Sequence, residues 1–208
     1  MDTFSPLQND VLTEAFNLGM GLAASSLSQM VGEEIKLSVP DISYIERKVA
    51  ADKLAESNVV NVSGVKQGFN GPFSGDALLL FPVEKSLSIV QLLLKDTVPV
   101  DDLTELQEEA LCEVGNIILN AGLASIANMF DQEITSELPI FTQGHSIDVM
   151  RAREDDSNVF FMQVDFSIQS QDINGYVIYL LDTESINDLM QSINKYMVNA
   201  GIIEEAVS

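Results

Sequence analysis

Two acid–amide pairs recur in this chain, Glu14 with Asn17 and Glu113 with Asn116. Each reads Glu-x2-Asn, and each is followed, after a further 22 residues, by a proline, Pro40 and Pro139. A carboxylate can pair with a cation. A carboxamide offers one acceptor and two donors, so it can hold a small polar molecule such as water in place without titrating. Residues three or four apart on a helix share a face, so each pair presents both groups to one side.

The neighbours on those faces are alike. Asp10, Glu14, Asn17, Gly21, Ser25 and Ser28 form one polar face; Glu109, Glu113, Asn116, Asn120, Ala124 and Ala127 form the other. The opposite stripes are apolar: Leu12, Phe16, Gly19, Ala23, Leu27 and Met30, and then Leu111, Gly115, Ile118, Gly122, Ile126 and Met129. Neither polar face carries Lys or Arg, whereas a solvated face usually bears long charged residues. Small residues there let a partner's backbone come close. Glu and Asn on a surface are commonplace. They are nonetheless the same in both copies while their neighbours Thr13 and Cys112, or Leu18 and Ile117, differ, and that points to function.

The elements that must position these pairs also recur. Ser5-Pro-Leu-Gln8 aligns with Thr104-Glu-Leu-Gln107, each reading as a capping box at a helix start. Pro6 then sits where a first-turn proline is tolerated. GDALLLFP (75–82) resembles GYVIYLLD (175–182), and a short amphipathic helix follows each. Each half reads as long helix, strands, short helix. The expected organisation is a single domain of 1–208 made of two repeats, about 1–101 and 102–208. Strand candidates lie near 34–49, 58–70, 74–82, 133–150, 158–170 and 172–181, and NGY (174–176) predicts the turn of a hairpin ending in YVIYLL. Strands in series without intervening helices predict an α+β fold, an internally duplicated pseudo-twofold domain with two long helices packed on an antiparallel β-sheet.

Composition narrows the function classes. The net charge of −22, from 32 acids against 10 bases, repels nucleic acid and anionic membranes and favours basic patches on a protein partner. No stretch reads as a membrane span, and MDTFSPLQND lacks the basic region of a signal peptide, so an intracellular, cytoplasmic protein is expected. The lone Cys112 cannot form an internal disulfide and reads as a small buried hydrophobe. With one His and one Cys a zinc site is not expected, and no metal ligand is assigned. His145, in QGHSID, reads as surface decoration on a loop, and the GxG of NLGMGLA lies inside a helix rather than in a phosphate-binding turn.

With these residues in hand, the chain resembles the CheC/CheX/FliY family of chemotaxis phosphatases. The family signature, Asp/Ser-x3-Glu-x2-Asn-x22-Pro, is matched in full by Asp10, Glu14, Asn17 and Pro40. Glu109, Glu113, Asn116 and Pro139 match it except at the first position, where Glu109 keeps the acid. NLGMGLAASSLS and GNIILNAGLASIANMF are similar to the family's helix, and two intact copies resemble the two-site CheC branch.

The resemblance implies an aspartyl-phosphate phosphatase acting on a phosphorylated CheY-like response regulator. Asn17 and Asn116 would hold the attacking water, and Glu14 and Glu113 would pair with a regulator lysine. Asp10, Gly21, Ser25, Glu109 and Asn120 would meet the partner. The prolines would be structural, setting the strand's entry. No cofactor is expected in this chain; Mg²⁺ would sit on the regulator. The alternative is a non-catalytic adaptor that binds a regulator or the deamidase CheD. Both amides are expected on an open face, where truncation costs under about 0.5 kcal/mol. Asn120 is bulkier than Gly21, so the Glu14/Asn17 site is expected to be at least as active as the other.

Overall fold

Ser5 caps the first helix as its sequence predicts. Its Oγ accepts from the backbone of Gln8 at 3.2 Å, and the Gln8 side chain accepts from the Ser5 backbone at 2.7 Å. Helix α1 then runs Pro6–Val31 and ends on Gly32, whose φ of 78° is the left-handed cap that glycine adopts without strain. The computed structural model describes residues 4–39, 41–57, 59–94, 103–150, 158–168, 171–181 and 183–204.

The elements that follow are β1 (Ile35–Ser38), β2 (Ile42–Glu46), α2 (Arg47–Glu56), β3 (Asn61–Asn70), β4 (Gly75–Pro82) and α3 (Val83–Leu94). The same order then occurs again: α4 (Leu103–Phe130), β5 (Thr135–Ser136), β6 (Ile140–His145), α5 (Ser146–Val149), β7 (Asn158–Ile168), β8 (Gln171–Leu181) and α6 (Thr183–Asn199). The described strands form one antiparallel sheet in the order β1-β7-β8-β4-β3-β5, with β2 also on β7 and β6 also on β3. The pairing is crossed. The strands after α1 hydrogen-bond to β7, and those after α4 hydrogen-bond to β3, so each long helix is anchored by strands from the other stretch of chain.

The four longer helices α1, α3, α4 and α6 cover one sheet face around a core that includes Leu12, Phe16, Leu79, Ile118, Val177 and Leu189. Helices α2 and α5 cover the other face over Leu54, Leu78, Leu80, Met150 and Ile178. Both faces of β4 are therefore dry. That is why Leu78, Leu79 and Leu80 run consecutively rather than alternating with polar residues, each side chain contributing ~1.5–3 kcal/mol by burial.

Small residues set the distance between α1 and α4. A Cβ on Gly19 would lie 2.7 Å from the Ala121 carbonyl oxygen, and Ser125 Oγ donates to the Ala15 carbonyl at 2.6 Å. These contacts pair earlier residues of α1 with later residues of α4, so the two helices run antiparallel. Gln8 of α1 reaches Asn194 of α6 at 2.9 Å, and Gln107 of α4 reaches Ser86 of α3 at 3.1 Å.

Several local expectations change. Helix α4 starts at Leu103, so Thr104 lies inside it rather than at its cap, and Gln107 is spent on Ser86 instead of a capping box. The 34–49 candidate is two strands broken around Val39 and closed by α2, and the 133–150 candidate is likewise broken and ends in α5. NGY is not a turn: Asn174 and Gly175 lie within β8 opposite Asp165 and Val164. Gly175 is needed for room, since a Cβ there would sit 2.5 Å from the Phe81 ring and 3.0 Å from the Phe166 ring. Contrary to the sequence expectation, Leu106–Phe130 is long and apolar enough to cross a membrane by length and composition. Half of that stretch is buried in the fold, where it packs on α1 and the sheet, and that burial accounts for its apolar composition.

Candidate functional site

The Glu–Asn pairs sit on the outward sides of α1 and α4. Glu14 and Glu113 are exposed, and no residue among those described pairs with either carboxylate. Asn17 and Asn116 are half-buried, not on the open face that the sequence predicts, because each amide is tied to the chain beside it. Antiparallel packing sends the pairs to opposite ends of the helix bundle. Residue 27 of α1 lies level with Glu113, as the contacts at Gly19 and Ser125 show, so the two sites are ~20 Å apart along the helices at 1.5 Å per residue.

At the first site the tie is a two-bond clamp. Asn17 Nδ2 donates to the Val39 carbonyl at 3.0 Å, and the Val39 N–H donates to Asn17 Oδ1 at 3.0 Å. Val39 is only 3% exposed. The clamp fixes which end of the amide is oxygen and leaves one N–H and one oxygen lone pair outward. It also gives the 22-residue spacing a physical reason. Val39 immediately precedes the motif proline, and a residue before proline is biased toward extended backbone, which presents its N–H and C=O to a neighbour. Pro40 itself lies outside the described residues. Asp10, Gly21 and Ser25 are exposed, and nothing lies within 4 Å of a Cβ built on Gly21. Leu18 and Leu22 stand out beside them at 52% and 60% exposure, an apolar contact surface. Ser28 faces inward instead: its hydroxyl donates to the Ala24 carbonyl at 2.6 Å and accepts from the Ile35 N–H at 2.9 Å.

The second site is wired differently. Asn120 Nδ2 donates to Asn116 Oδ1 at 2.7 Å. Asn120 Oδ1 accepts from the Ser136 hydroxyl at 2.6 Å and from Gln67 Nε2 at 3.2 Å, and Gln67 Nε2 also donates to the Glu137 carbonyl at 2.7 Å. Asn120 was expected to meet a partner; it is half-buried and committed within the chain. Glu109 and Ala124 are exposed. Leu138, which holds the place of Val39 before the motif proline, is 85% exposed, and Ile140 is 70% exposed. Cys112 Sγ lies 3.8 Å from the Pro139 carbonyl. Cys112 is half-buried rather than buried, and burial pushes its thiol pKa up, which keeps it a neutral thiol. His145 is exposed at the end of β6, opposite Asn61, rather than in a loop.

Sequence reasoning missed Val39 and Gln67. The proline spacing marked the first. Nothing in the chain order marks Gln67, which reaches Asn120 from β3 through the crossed strand pairing.

The family model described as "CheC-like family" matches residues 7–44, the segment that holds Asp10, Glu14, Asn17, Val39 and Pro40. That segment is similar to the CheC-like family. The chain is 24% identical over 135 residues to the CheY-P phosphatase CheC of Bacillus subtilis, covering 64% of this chain and 64% of that one. It is 23% identical over 141 residues to the flagellar motor switch phosphatase FliY of the same organism, covering 67% of this chain and 36% of that one. The matched regions thus span under two thirds of these relatives' lengths. Among solved structures, Thermotoga maritima FliY superimposes with a TM-score of 0.76 at 17% identity, covering 94% of this chain and 100% of that one. A chain of the CheX–CheY–BeF3–Mg complex from Borrelia burgdorferi gives a TM-score of 0.50 at 18% identity, covering 80% of this chain and 95% of that one. These likenesses show the α+β fold.

Proposed function

We propose that this chain hydrolyses the aspartyl phosphate of a CheY-like response regulator, using the Glu–Asn pairs on α1 and α4. The observation that carries the reading is an oriented carboxamide beside an unpaired, exposed carboxylate, present twice on faces of small residues. The names of the CheC and FliY relatives, and a solved CheX–CheY complex, support a phosphatase and a CheY-like partner.

Hydrolysis of an aspartyl phosphate proceeds by in-line attack of water, and catalysis of it is largely positioning and electrostatics. Asn17, with its oxygen and one N–H held by Val39, offers the remaining lone pair and N–H to a water. Asn116, with its oxygen accepting from Asn120, offers both N–H groups and one lone pair. Neither amide titrates, so the water is held equally well across the physiological pH range. Glu14 and Glu113 pair with a lysine of the regulator and dock the helix over its phosphorylation pocket. Mg²⁺ belongs to the regulator and would neutralise charge on the phosphoryl oxygens. The reaction places the protein in the cytoplasm, with its regulator. The first site, with open Gly21 beside Asn17, is at least as active as the second.

The test is to mix the protein with phosphorylated regulators of its own cell and follow phosphate release. Faster release than spontaneous decay supports the reading; release at the spontaneous rate with every regulator removes it.

A further inference from the structure

We infer that Asn120 and Gln67 are positioning residues for Asn116, forming a relay that fixes how the second site presents its amide. The inference rests on the phosphatase reading for its kinetic consequence, but the relay itself is a matter of hydrogen-bond direction.

The direction follows from one group that cannot change sign. The Glu137 backbone carbonyl is only an acceptor, so the end of Gln67 that lies 2.7 Å from it must be the NH2. That same NH2 lies 3.2 Å from Asn120, so the Asn120 atom facing it is oxygen. The Ser136 hydroxyl, 2.6 Å from that oxygen, completes its acceptor role. The other end of Asn120 is then NH2, and the Asn116 atom 2.7 Å away is oxygen. The Asn116 NH2 is left over and turns outward. Flipping any one amide would set acceptor against acceptor or donor against donor along the chain.

The relay is held at a cost. Gln67 is 1% exposed, and its Oε1 is buried with no hydrogen-bond partner among the described residues. A buried unpaired acceptor in a native fold calls for an explanation, and a strand side chain held to aim an amide two hydrogen bonds away supplies one. The first site confirms the need by a different route. There the position of Asn120 is Gly21, which has no side chain to aim anything, and the Val39 backbone fixes the Asn17 amide directly. Leu138, the counterpart of Val39, is 85% exposed. A side-chain relay replaces a backbone clamp.

The test uses the full chain carrying Asn17→Ala, so that turnover reports the second site alone; Glu14→Arg serves as the background if Asn17→Ala lowers the melting temperature too far. Into it are placed Gln67→Leu, which keeps the buried volume while removing the relay's anchor, and Asn120→Ala. Steady-state turnover of a phosphorylated regulator is measured, together with the side-chain NH2 signals of Asn116 by NMR without any partner. Each substitution is expected to lower kcat about tenfold with KM for the regulator within about twofold. The double substitution should be no worse than the more damaging single one, because both break the same chain. The Asn116 NH2 signals should move in both variants. Unchanged kcat, or a loss carried by KM, would overturn the inference, the latter by showing that Asn120 touches the regulator directly. If the background enzyme has no phosphatase activity at the second site, the kinetic premise fails by itself and the NMR signals decide the relay: Asn116 resonances that ignore Gln67→Leu would refute it.

Discussion

Truncating the two asparagines should cost stability unequally, although an acid–amide motif on a helix face suggests that both are free. Asn17→Ala removes two hydrogen bonds of 3.0 Å to the Val39 backbone. Val39 is 3% exposed, so its N–H and C=O are left short of partners. A made hydrogen bond is worth ~1 kcal/mol net, and a stranded buried group costs ~1–3 kcal/mol. Asn17 is half-buried, so water reaches part of the gap, and the sum comes to ~2 kcal/mol. Asn116→Ala removes one 2.7 Å bond from a half-buried neighbour, Asn120, worth ~0.5–1 kcal/mol. For a domain of this size each kcal/mol moves the melting temperature by ~2–4 °C. Thermal unfolding should therefore show a drop of about 4–8 °C for Asn17→Ala and no more than about 4 °C for Asn116→Ala. Equal shifts, or a larger one for Asn116→Ala, would refute the clamp as a structural bond. Activity comparisons between the two variants belong well below the lower melting temperature.

Other perturbations have signs that the structure determines. Tyr179→Phe should raise stability by ~1 kcal/mol in urea denaturation, because the buried Tyr179 hydroxyl has no hydrogen-bond partner among the described residues and its removal ends a desolvation cost. Burial also pushes the Tyr179 pKa well above its ordinary value of 10.0. The folded state thus resists ionisation that the unfolded chain accepts, so wild-type stability should be full below about pH 10 and fall as pH rises beyond it, with a shallower fall in Tyr179→Phe. Gly19→Ala puts a Cβ 2.7 Å from the Ala121 carbonyl oxygen and must push α1 from α4; a loss of ~1–3 kcal/mol in the same assay is expected, and no loss would show that the helix pair is loosely packed. Glu14→Lys with Glu113→Lys should weaken regulator binding in a titration with the melting temperature unchanged, since like charges at an interface are costly; wild-type affinity would mean that the docking face lies elsewhere.

The sequence was most legible where a signal is local. The capping box at Ser5 and Gln8, the apolar stripes of the long helices and the strand candidate near 158–170 all mark real elements, and the α+β class follows from them. It was least legible where tertiary packing overrides a local sign. RKVAADKLAE follows ISYIE without a break in apolar spacing, so the 34–49 strand candidate ran three residues into α2 and the rest of that helix was missed. Asn174-Gly175 has turn chemistry, yet the Phe81 and Phe166 rings claim the space above Gly175 and hold it inside β8. The candidate site followed the same rule. The acids and amides could be read from helix spacing, and the open Gly21 with them. That Asn17 is clamped, and that Asn120 is aimed at Asn116 rather than outward, depends on Val39 and Gln67, which only the folded strands bring near.

The central claim is that oriented amides hold the attacking water. The most direct measurement is the rate of phosphate loss from a phosphorylated CheY-like regulator with the wild-type protein and with Asn17→Ala/Asn116→Ala, compared at equal folded protein and equal regulator binding. The expected result is rapid loss with wild type and the spontaneous rate with the double variant. Equal acceleration by both would contradict the account.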